Sequence, residues 1–268
     1  MNLPDFLTYG FMQRAYMAGL LSAATLSVVG IFIVLKRLSN IGEGLANIAF
    51  AGIALGLLFG AAPLPLALIA SVIGVFLINY LKGRAGVYGE AAVQILCSGG
   101  LALGVVAASA SAGFNVNLLS YLFGSLLSVT TTDILFVAAL AVIVFTAVAL
   151  TGRQLAYATF DEDSARASGL QVDRLNLMLM LITAVSVVAG MRIVGILLVS
   201  SFLVVPAAAA ILLARNFRQA IAFSLAYGVT SAAAGITLAY YLNVATGGAV
   251  VLTSVLMFFA TAAFARFR

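Results

Sequence analysis

A carboxylate and an amide lie four residues apart near one end of an apolar stretch of this sequence, at Glu43 and Asn47. Residues at positions i and i+4 of a helix share a face, so these two side chains would lie together. An ionisable side chain beside an apolar run is costly to keep there, which makes it a candidate for function. A carboxylate and an amide oxygen suit a hard cation better than a soft one. Alternatively, Glu43 reaches only the aqueous interface near Lys36 and Arg37.

A second group of polar residues lies in the segment from Arg153 to Arg174, between two apolar runs. Thr159 and Glu162 form a T-x-x-E pattern, which predicts a capping box and a short helix that begins near Phe160. Acidic residues favour the N-terminal turn of such a helix, and a glycine favours its C-terminal end. A short amphipathic helix of this kind docks into a groove on another protein, and the alternative is a solvated loop. The residues assigned to docking are Phe160, Asp161, Glu162, Ala165 and Gly169.

A stripe of glycines is the third feature. Gly52, Gly56 and Gly60 form two consecutive G-x-x-x-G units, a spacing that allows two helices to pack closely. We therefore predict a helix-packing face here, either within the subunit or between subunits.

The composition sets the environment of these groups. Hydrophobic residues make up 64% of the chain and charged residues only 8%, whereas a soluble domain carries about a quarter charged residues. Membrane lipid must therefore cover much of the surface. The chain has no histidine, so an intramembrane enzyme with a histidine base is excluded. The single cysteine, Cys97, is interpreted as a small buried hydrophobic residue.

The elements that position the polar groups are long apolar segments, each close to the roughly 20 residues needed to cross a bilayer. The fold class is therefore all-α, a polytopic transmembrane helical bundle in a single domain over residues 1–268. We predict about nine spans, or eight if the region 175–214 is partly re-entrant. The predicted spans are 15–35, 44–62, 63–81, 91–111, 134–152, 175–191 (interrupted by Arg192), 193–214 and two more within 219–265, and an interfacial helix is expected in the polar stretch 109–132.

The basic residues predict how the bundle is oriented. With nine spans, every Lys and Arg except Arg14 and Arg192 falls on one side. Cytoplasmic loops are enriched in basic residues, so this side is predicted to be cytoplasmic, with the C-terminus inside and the N-terminus outside. The N-terminal sequence does not have the pattern of a signal peptide, so the first span is expected to be retained. The net charge of +5 is spread over the loops beside the membrane, which argues against nucleic-acid binding.

Several segments resemble the permease subunits of the ABC importers for manganese, zinc and iron, the ABC type 3 family. Val194 to Ala210 (VGILLVSSFLVVPAAAA) is the most specific match, and Tyr121 to Gly124 (YLFG) is close to a family signature. The resemblance covers nearly the whole chain and implies an ABC type II importer-like permease fold. Family members typically have Gly-Asp-x-Leu-x-His-Ala along the metal path. This chain has Glu43 at the Asp position and Asn47 at the His position, and the loss of the imidazole weakens the case for zinc.

The resemblance also implies partners. It implies a homodimer of permeases, two separate ATPase subunits that bind ATP, and an extracytoplasmic binding protein in a bacterial inner membrane. The chain itself has no phosphate-binding loop and is expected to bind no cofactor. The coupling segment to the ATPase would lie within 153–174, and Glu43 and Asn47 would line the translocation path. A heterodimer, a non-metal cargo, and a secondary transporter or channel that works without an ATPase remain as alternatives.

Overall fold

The computed structural model describes residues 9–110, 116–125, 129–191 and 194–266. Within these residues the regular structure is entirely α-helical, which confirms the predicted fold class. The helices are α1 (Gly10–Leu35), α2 (Asn40–Leu58), α3 (Pro63–Gly83), α4 (Gly89–Ala110), α5 (Val116–Phe123), α6 (Thr131–Phe160), α7 (Glu162–Ala167), α8 (Val172–Gly190), α9 (Ile196–Leu213), α10 (Phe217–Leu242) and α11 (Thr246–Arg266).

Local sequence explains where several helices begin and end. Pro63 is the first residue of α3, where its missing N–H costs nothing. A reciprocal capping box starts α6: the Thr130 hydroxyl accepts from the Asp133 amide, and the Asp133 carboxylate accepts from the Thr130 amide. Asn216 caps α10, which ends at Asn243 in the left-handed conformation that asparagine tolerates.

The long helices run between two ends of the bundle. At one end, Leu35, Phe160 and Phe217 line a common cavity, which brings together the ends of α1 and α6 and the start of α10. A second cavity at the same end adds Lys82 from the end of α3 and Asp173 from the start of α8. This end of the bundle brings together loops that were predicted to share one side, around Lys36, Lys82, Arg166 and Arg215. We call it the basic end.

The opposite end holds the other helix termini. Phe11 at the start of α1, Asn243 at the end of α10 and Thr246 at the start of α11 line one cavity there. Eight helices are long and apolar enough to cross a membrane by length and composition: α1, α2, α3, α4, α6, α8, α10 and α11. The ninth, α9, is shorter but runs from Gly195, beside Leu122 at the opposite end, to the basic end. The alternating topology that nine spans require is thus present in the described residues.

The end of the fifth predicted span, at residue 152, is wrong. The segment from 153 to 160, predicted to be a loop, belongs to α6, because Leu155 and Ala158 on one face of this helix are buried in the core. The predicted interruption at Arg192 and the extreme N- and C-terminal residues lie outside the described residues.

The centre of the bundle is formed by α1 and α2. Their most apolar stretches are each 72% buried, whereas the same measure is 22% for α6 and α11. The outer faces of α6 and α11 carry exposed Leu135, Val142, Leu256 and Phe259, which is the surface that lipid would cover. A polar residue exposed on central α2 therefore needs a different explanation from an exposed leucine on α6.

The glycine stripe packs α2 against α3 inside the subunit. A Cβ atom at Gly52 would lie 2.6 Å from the Leu66 carbonyl oxygen, and one at Gly56 would lie 2.9 Å from the Pro63 Cα. Gly60 lies beyond the end of α2 with φ +65° and nothing within 4 Å of its Cβ position. It therefore serves the turn into α3 and does not extend the packing face.

Candidate functional site

A polar stripe runs along the half of α2 nearest the basic end. Asn40 and Glu43 are exposed and Asn47 is partly exposed, although the helix around them is largely buried. On one flank, Gly42 faces Ser200 of α9, and a Cβ at Gly42 would lie 3.7 Å from the Ser200 Cα. The polar stripe, which is also called the open strip of α2, is therefore not part of the subunit's internal packing.

The other flank of the stripe is set by α4. A Cβ at Gly44 would lie 2.7 Å from Val93 Cγ1, and one at Gly100 would lie 2.9 Å from the Asn47 carbonyl oxygen. The Asn47 side-chain amide donates a hydrogen bond to Cys97 Sγ at 3.0 Å. Cys97 is buried, as its interpretation required, but it also accepts a polar contact that the sequence did not predict.

Glu43 is not neutralised by the nearby basic residues. The structure places no ion pair between Glu43 and either Lys36 or Arg37, and Lys36 instead donates a hydrogen bond to Asn176 Oδ1 of α8. Among the described residues, no three His, Cys, Asp or Glu side chains form a group that could hold a metal ion. The stripe of one chain therefore carries three oxygen-bearing side chains, Asn40, Glu43 and Asn47.

The second candidate region is the short helix α7 at the basic end. Its predicted capping box is wrong: Thr159 lies inside α6, where its hydroxyl donates to the Leu155 carbonyl. Asp161 is instead the N-cap, and its carboxylate accepts from both the hydroxyl and the amide of Ser164. These hydrogen bonds hold the pKa of Asp161 below its usual range. Phe160, assigned to this helix from the sequence, is the last residue of α6 and packs edge-on against Phe217 at a centroid distance of 5.8 Å.

The C-terminal end of α7 follows the predicted pattern. Gly169 takes φ +86°, its N–H bonds to the Arg166 carbonyl, and the Leu170 N–H bonds to the Ala165 carbonyl. Ala165 is fully buried and anchors α7 to the bundle, whereas the other residues of α7 are exposed. The helix thus has one anchored position and a solvent-facing remainder.

Arg166 connects α7 to α8. Its guanidinium bonds to Asp173 at 2.7 Å and to Glu162 at 3.0 Å. These two hydrogen bonds raise the pKa of Arg166, so its guanidinium stays charged at any physiological pH. The i,i+4 spacing of Glu162 and Arg166 was visible in the sequence, but the contact with Asp173 depends on the turn at Gly169.

A polar cavity of about 400 Å³ lies beneath α7. Its polar lining is Lys36, Arg37, Lys82, Thr159, Glu162, Arg166, Asp173 and Asn176. Burial lowers the pKa of Lys36, and the nearby Glu162 carboxylate opposes that shift. The cavity joins the α1–α2 turn to α7, so the polar stripe and the short helix are separated by one loop and one cavity.

A tight backbone junction lies at the opposite end, and sequence reasoning did not identify it. A Cβ at Gly247 would lie 1.8 Å from the Val194 carbonyl oxygen, and one at Gly195 would lie 2.5 Å from the Leu122 carbonyl oxygen. Only glycine allows the starts of α9 and α11 to approach the end of α5 this closely.

Long apolar helices that cross between two ends define a multi-pass membrane protein. The sequence matches the ABC 3 transport family over residues 8–265, so the chain belongs to that family. This confirms the resemblance found from the sequence and identifies the chain as the permease subunit of an ABC transporter.

The relatives agree with this assignment over nearly the full length. The chain is 31% identical to the manganese transport system membrane protein MntC of Halalkalibacterium halodurans, with 95% of this chain and 87% of that protein covered. It is 30% identical to the manganese import system permease protein ScaB of Streptococcus gordonii, with 93% and 90% covered. The solved structure of PsaBC from Streptococcus pneumoniae in complex with Fab superposes with a TM-score of 0.87 at 29% identity and covers 96% of this chain and 93% of that one.

Proposed function

We propose that two copies of this chain form the translocation path of an ATP-driven importer for a divalent transition-metal cation, with manganese as the first candidate. The observation that carries the proposal is the exposed Glu43 on a central membrane helix, with Asn47 one turn away. A charged side chain that faced lipid would be strongly unfavourable, so this strip requires a polar cavity or a protein partner.

A second copy of the chain accounts for the open strip. If the α2 strips of two subunits face each other across a shared axis, their carboxylates and amide oxygens surround one polar path. Carboxylate and carbonyl oxygens are ligands that suit manganese, whereas zinc gains more from imidazole and thiolate. Two of the relatives are named as manganese transport proteins, which favours the same cargo.

The drive for transport is assigned to a separate ATPase that docks on α7. Exposed residues Glu162, Asp163 and Ala167 surround the anchored Ala165, so a partner can contact α7 while the bundle holds it. Phe160 and Asp161 connect α7 directly to α6, and Gly169 ends it. In this proposal the basic end is cytoplasmic, the C-terminus lies inside, and a solute-binding protein delivers the cation to the opposite end.

The test is uptake of radioactive manganese into proteoliposomes that contain the chain, its ATPase and external binding protein. Glu43→Gln should lower uptake by about tenfold or more, because the neutral amide loses a charge-assisted ligand. Assembly with the ATPase and thermal stability should be unchanged, since Glu43 is exposed and makes no ion pair with Lys36 or Arg37.

The matched control is Glu162→Gln at the basic end, which should leave the KM for manganese near the wild-type value. Normal manganese uptake by Glu43→Gln would remove this residue from the path. A wild-type complex that hydrolyses ATP but takes up no manganese, zinc or iron would overturn the assignment of a metal cargo.

A further inference from the structure

The α4 helix packs against α2 beside the polar stripe, and its register with α2 is fixed by close contacts. Both helices start at the basic end and run in the same direction. A Cβ at Gly44 would contact Val93, one at Gly100 would lie 2.8 Å from the Ile48 Cα, and one at Gly104 would lie 2.3 Å from the Phe50 ring. Such short approaches prevent the two helices from sliding past each other.

The contact between Asn47 and Cys97 determines which atom of the Asn47 amide faces the stripe. Nδ2 donates to the buried sulfur at 3.0 Å. An amide group is planar, with its oxygen and nitrogen on opposite sides of the side-chain axis. With the nitrogen held against α4, Oδ1 is directed away from Cys97 and toward the exposed side of α2. That orientation presents oxygen, the atom a cation can bind, to the open strip.

Gln94 extends the polar surface onto α4. At about 100° per residue, Gln94 lies about 60° from Cys97 around the helix, on the side opposite Leu96. Leu96 packs against an apolar cluster that includes Val75 and Ile78 of α3. Gln94, on the other side of α4, therefore faces away from this cluster and borders the open strip. Along the helix axis it lies between Val93 and Cys97, which are level with Gly44 and Asn47. The Gln94 side chain is exposed at a depth between Glu43 and Asn47.

We infer that α4 forms the second wall of the cation path, in which Gln94 adds an amide oxygen beside Glu43 and Asn47, and Cys97 is a positioning residue that orients the Asn47 amide. The inference rests on the proposed function. It gives a physical role to the buried cysteine in a chain where asparagine stands in place of an imidazole. Three oxygen groups and no imidazole favour manganese over zinc at this position.

The test measures KM and kcat for manganese uptake, and competition by zinc, in the full reconstituted complex. Cys97→Ala and Gln94→Ala should each raise the KM for manganese by about tenfold, the lower end of the effect of supporting residues at metal sites, with kcat near wild type. Cys97→Ser should stay near wild type, because a hydroxyl oxygen also accepts the Asn47 N–H. Leu103→Ala, an exposed position on the outer face of α4, is the control and should change neither constant.

Several outcomes would overturn the inference. Unchanged KM values in both Cys97→Ala and Gln94→Ala would exclude α4 from the path, and a Cys97→Ser variant as impaired as Cys97→Ala would show that sulfur packing is what matters. If Cys97→Ala failed to fold, Gln94→Ala and Cys97→Ser would still test the inference. Gln94 is exposed, and serine keeps an acceptor for the Asn47 N–H. Impaired uptake by Glu43→Gln with normal uptake by the α4 variants would overturn this inference while the proposed function stood.

Discussion

The carboxylate on the α2 strip and the charged side chains at the short helix α7 differ in whether they have hydrogen-bond and ion-pair partners. At α7, Asp161 accepts hydrogen bonds from Ser164, and Arg166 forms ion pairs with Glu162 and Asp173. On α2, Glu43 is exposed and forms no ion pair with the neighbouring Lys36 or Arg37. Paired groups fix the geometry of a segment, whereas an exposed carboxylate at the end of an apolar helix is available to a ligand. This difference is what the proposed function requires, since in that proposal α7 transmits a displacement and the α2 strip contacts the cargo.

Among the variants that test this difference between α2 and α7, Ala165→Leu should have the largest effect. Ala165 is fully buried beneath α7, so a larger side chain must displace the helix or distort the bundle. Uptake should fall by about tenfold or more for every cargo, because the loss lies in coupling and not in cation binding. The measurement is ATP hydrolysis and uptake in the same proteoliposomes, where hydrolysis should continue while uptake falls.

The control for this variant is Ala222→Leu, the same change at an exposed position of α10. It should leave both activities near wild type. A cargo-selective loss in Ala165→Leu, for example of manganese but not zinc uptake, would show that α7 acts on the path itself and would remove the distinction between the two regions.

An intermediate effect is expected from Asn47→His, which changes the ligand set and leaves α7 untouched. An imidazole nitrogen suits zinc better than an amide oxygen does, so competition by zinc against manganese uptake should strengthen by about tenfold. The coupling ratio of ATP hydrolysed per cation should not change. Competition assays with Asn47→Gln as the matched oxygen-bearing variant would sharpen the assignment, and equal zinc competition in both variants would contradict it.

The smallest effect is expected from Asp161→Ala at the N-cap of α7. The variant removes the acceptor for the Ser164 amide, whereas Asp161→Asn keeps one. Amide hydrogen exchange within residues 162–168 should become faster in the alanine variant and stay near wild type in the asparagine variant. Uptake should fall by no more than about threefold, since Arg166 and Ala165 still hold the helix.

The pH dependence of the same cap has a defined sign. The folded-state pKa of Asp161 is lowered, so its contribution is complete above the ordinary aspartate value of 3.8 and is lost as the pH falls through the lowered pKa. The protection of the α7 amides, taken relative to the intrinsic exchange rate at each pH, should therefore stay constant across the neutral and mildly acidic range and fall only below that value. Protection that already falls between neutral pH and about pH 5 in the wild-type protein would contradict this role of Asp161.

Most of the bundle follows from patterns that are local in the sequence. Uninterrupted apolar runs predicted the long helices, and the distribution of Lys and Arg predicted which loops meet at one end. The start of α7 was predicted incorrectly because Thr159 and Asp161 both satisfy N-cap preferences. The choice between them depends on Leu155 and Ala158, whose burial extends α6 past the predicted boundary.

In the candidate site, too, some residues could be predicted from the local sequence and others could not. Glu43 and Asn47 were found from their spacing, because the i,i+4 relation is a property of a single helix. Cys97 is distant in the sequence, and only the packing of α4 on α2 brings its sulfur to Asn47. Gln94 carries no local signal either, since its role depends on which side of α4 is covered by α3.

The junction between α6 and α7 limits how this chain can vary in length. Asp161 is at once the C-cap of α6 and the N-cap of α7, so a single residue separates the two helices. At 1.5 Å per residue the 30 residues of α6 span about 45 Å, more than the roughly 30 Å hydrocarbon core, so α6 forms a stiff arm that ends at α7. One inserted residue would turn everything beyond it by about 100° around the arm. During evolution, this segment can therefore exchange residue types more readily than it can gain or lose a residue.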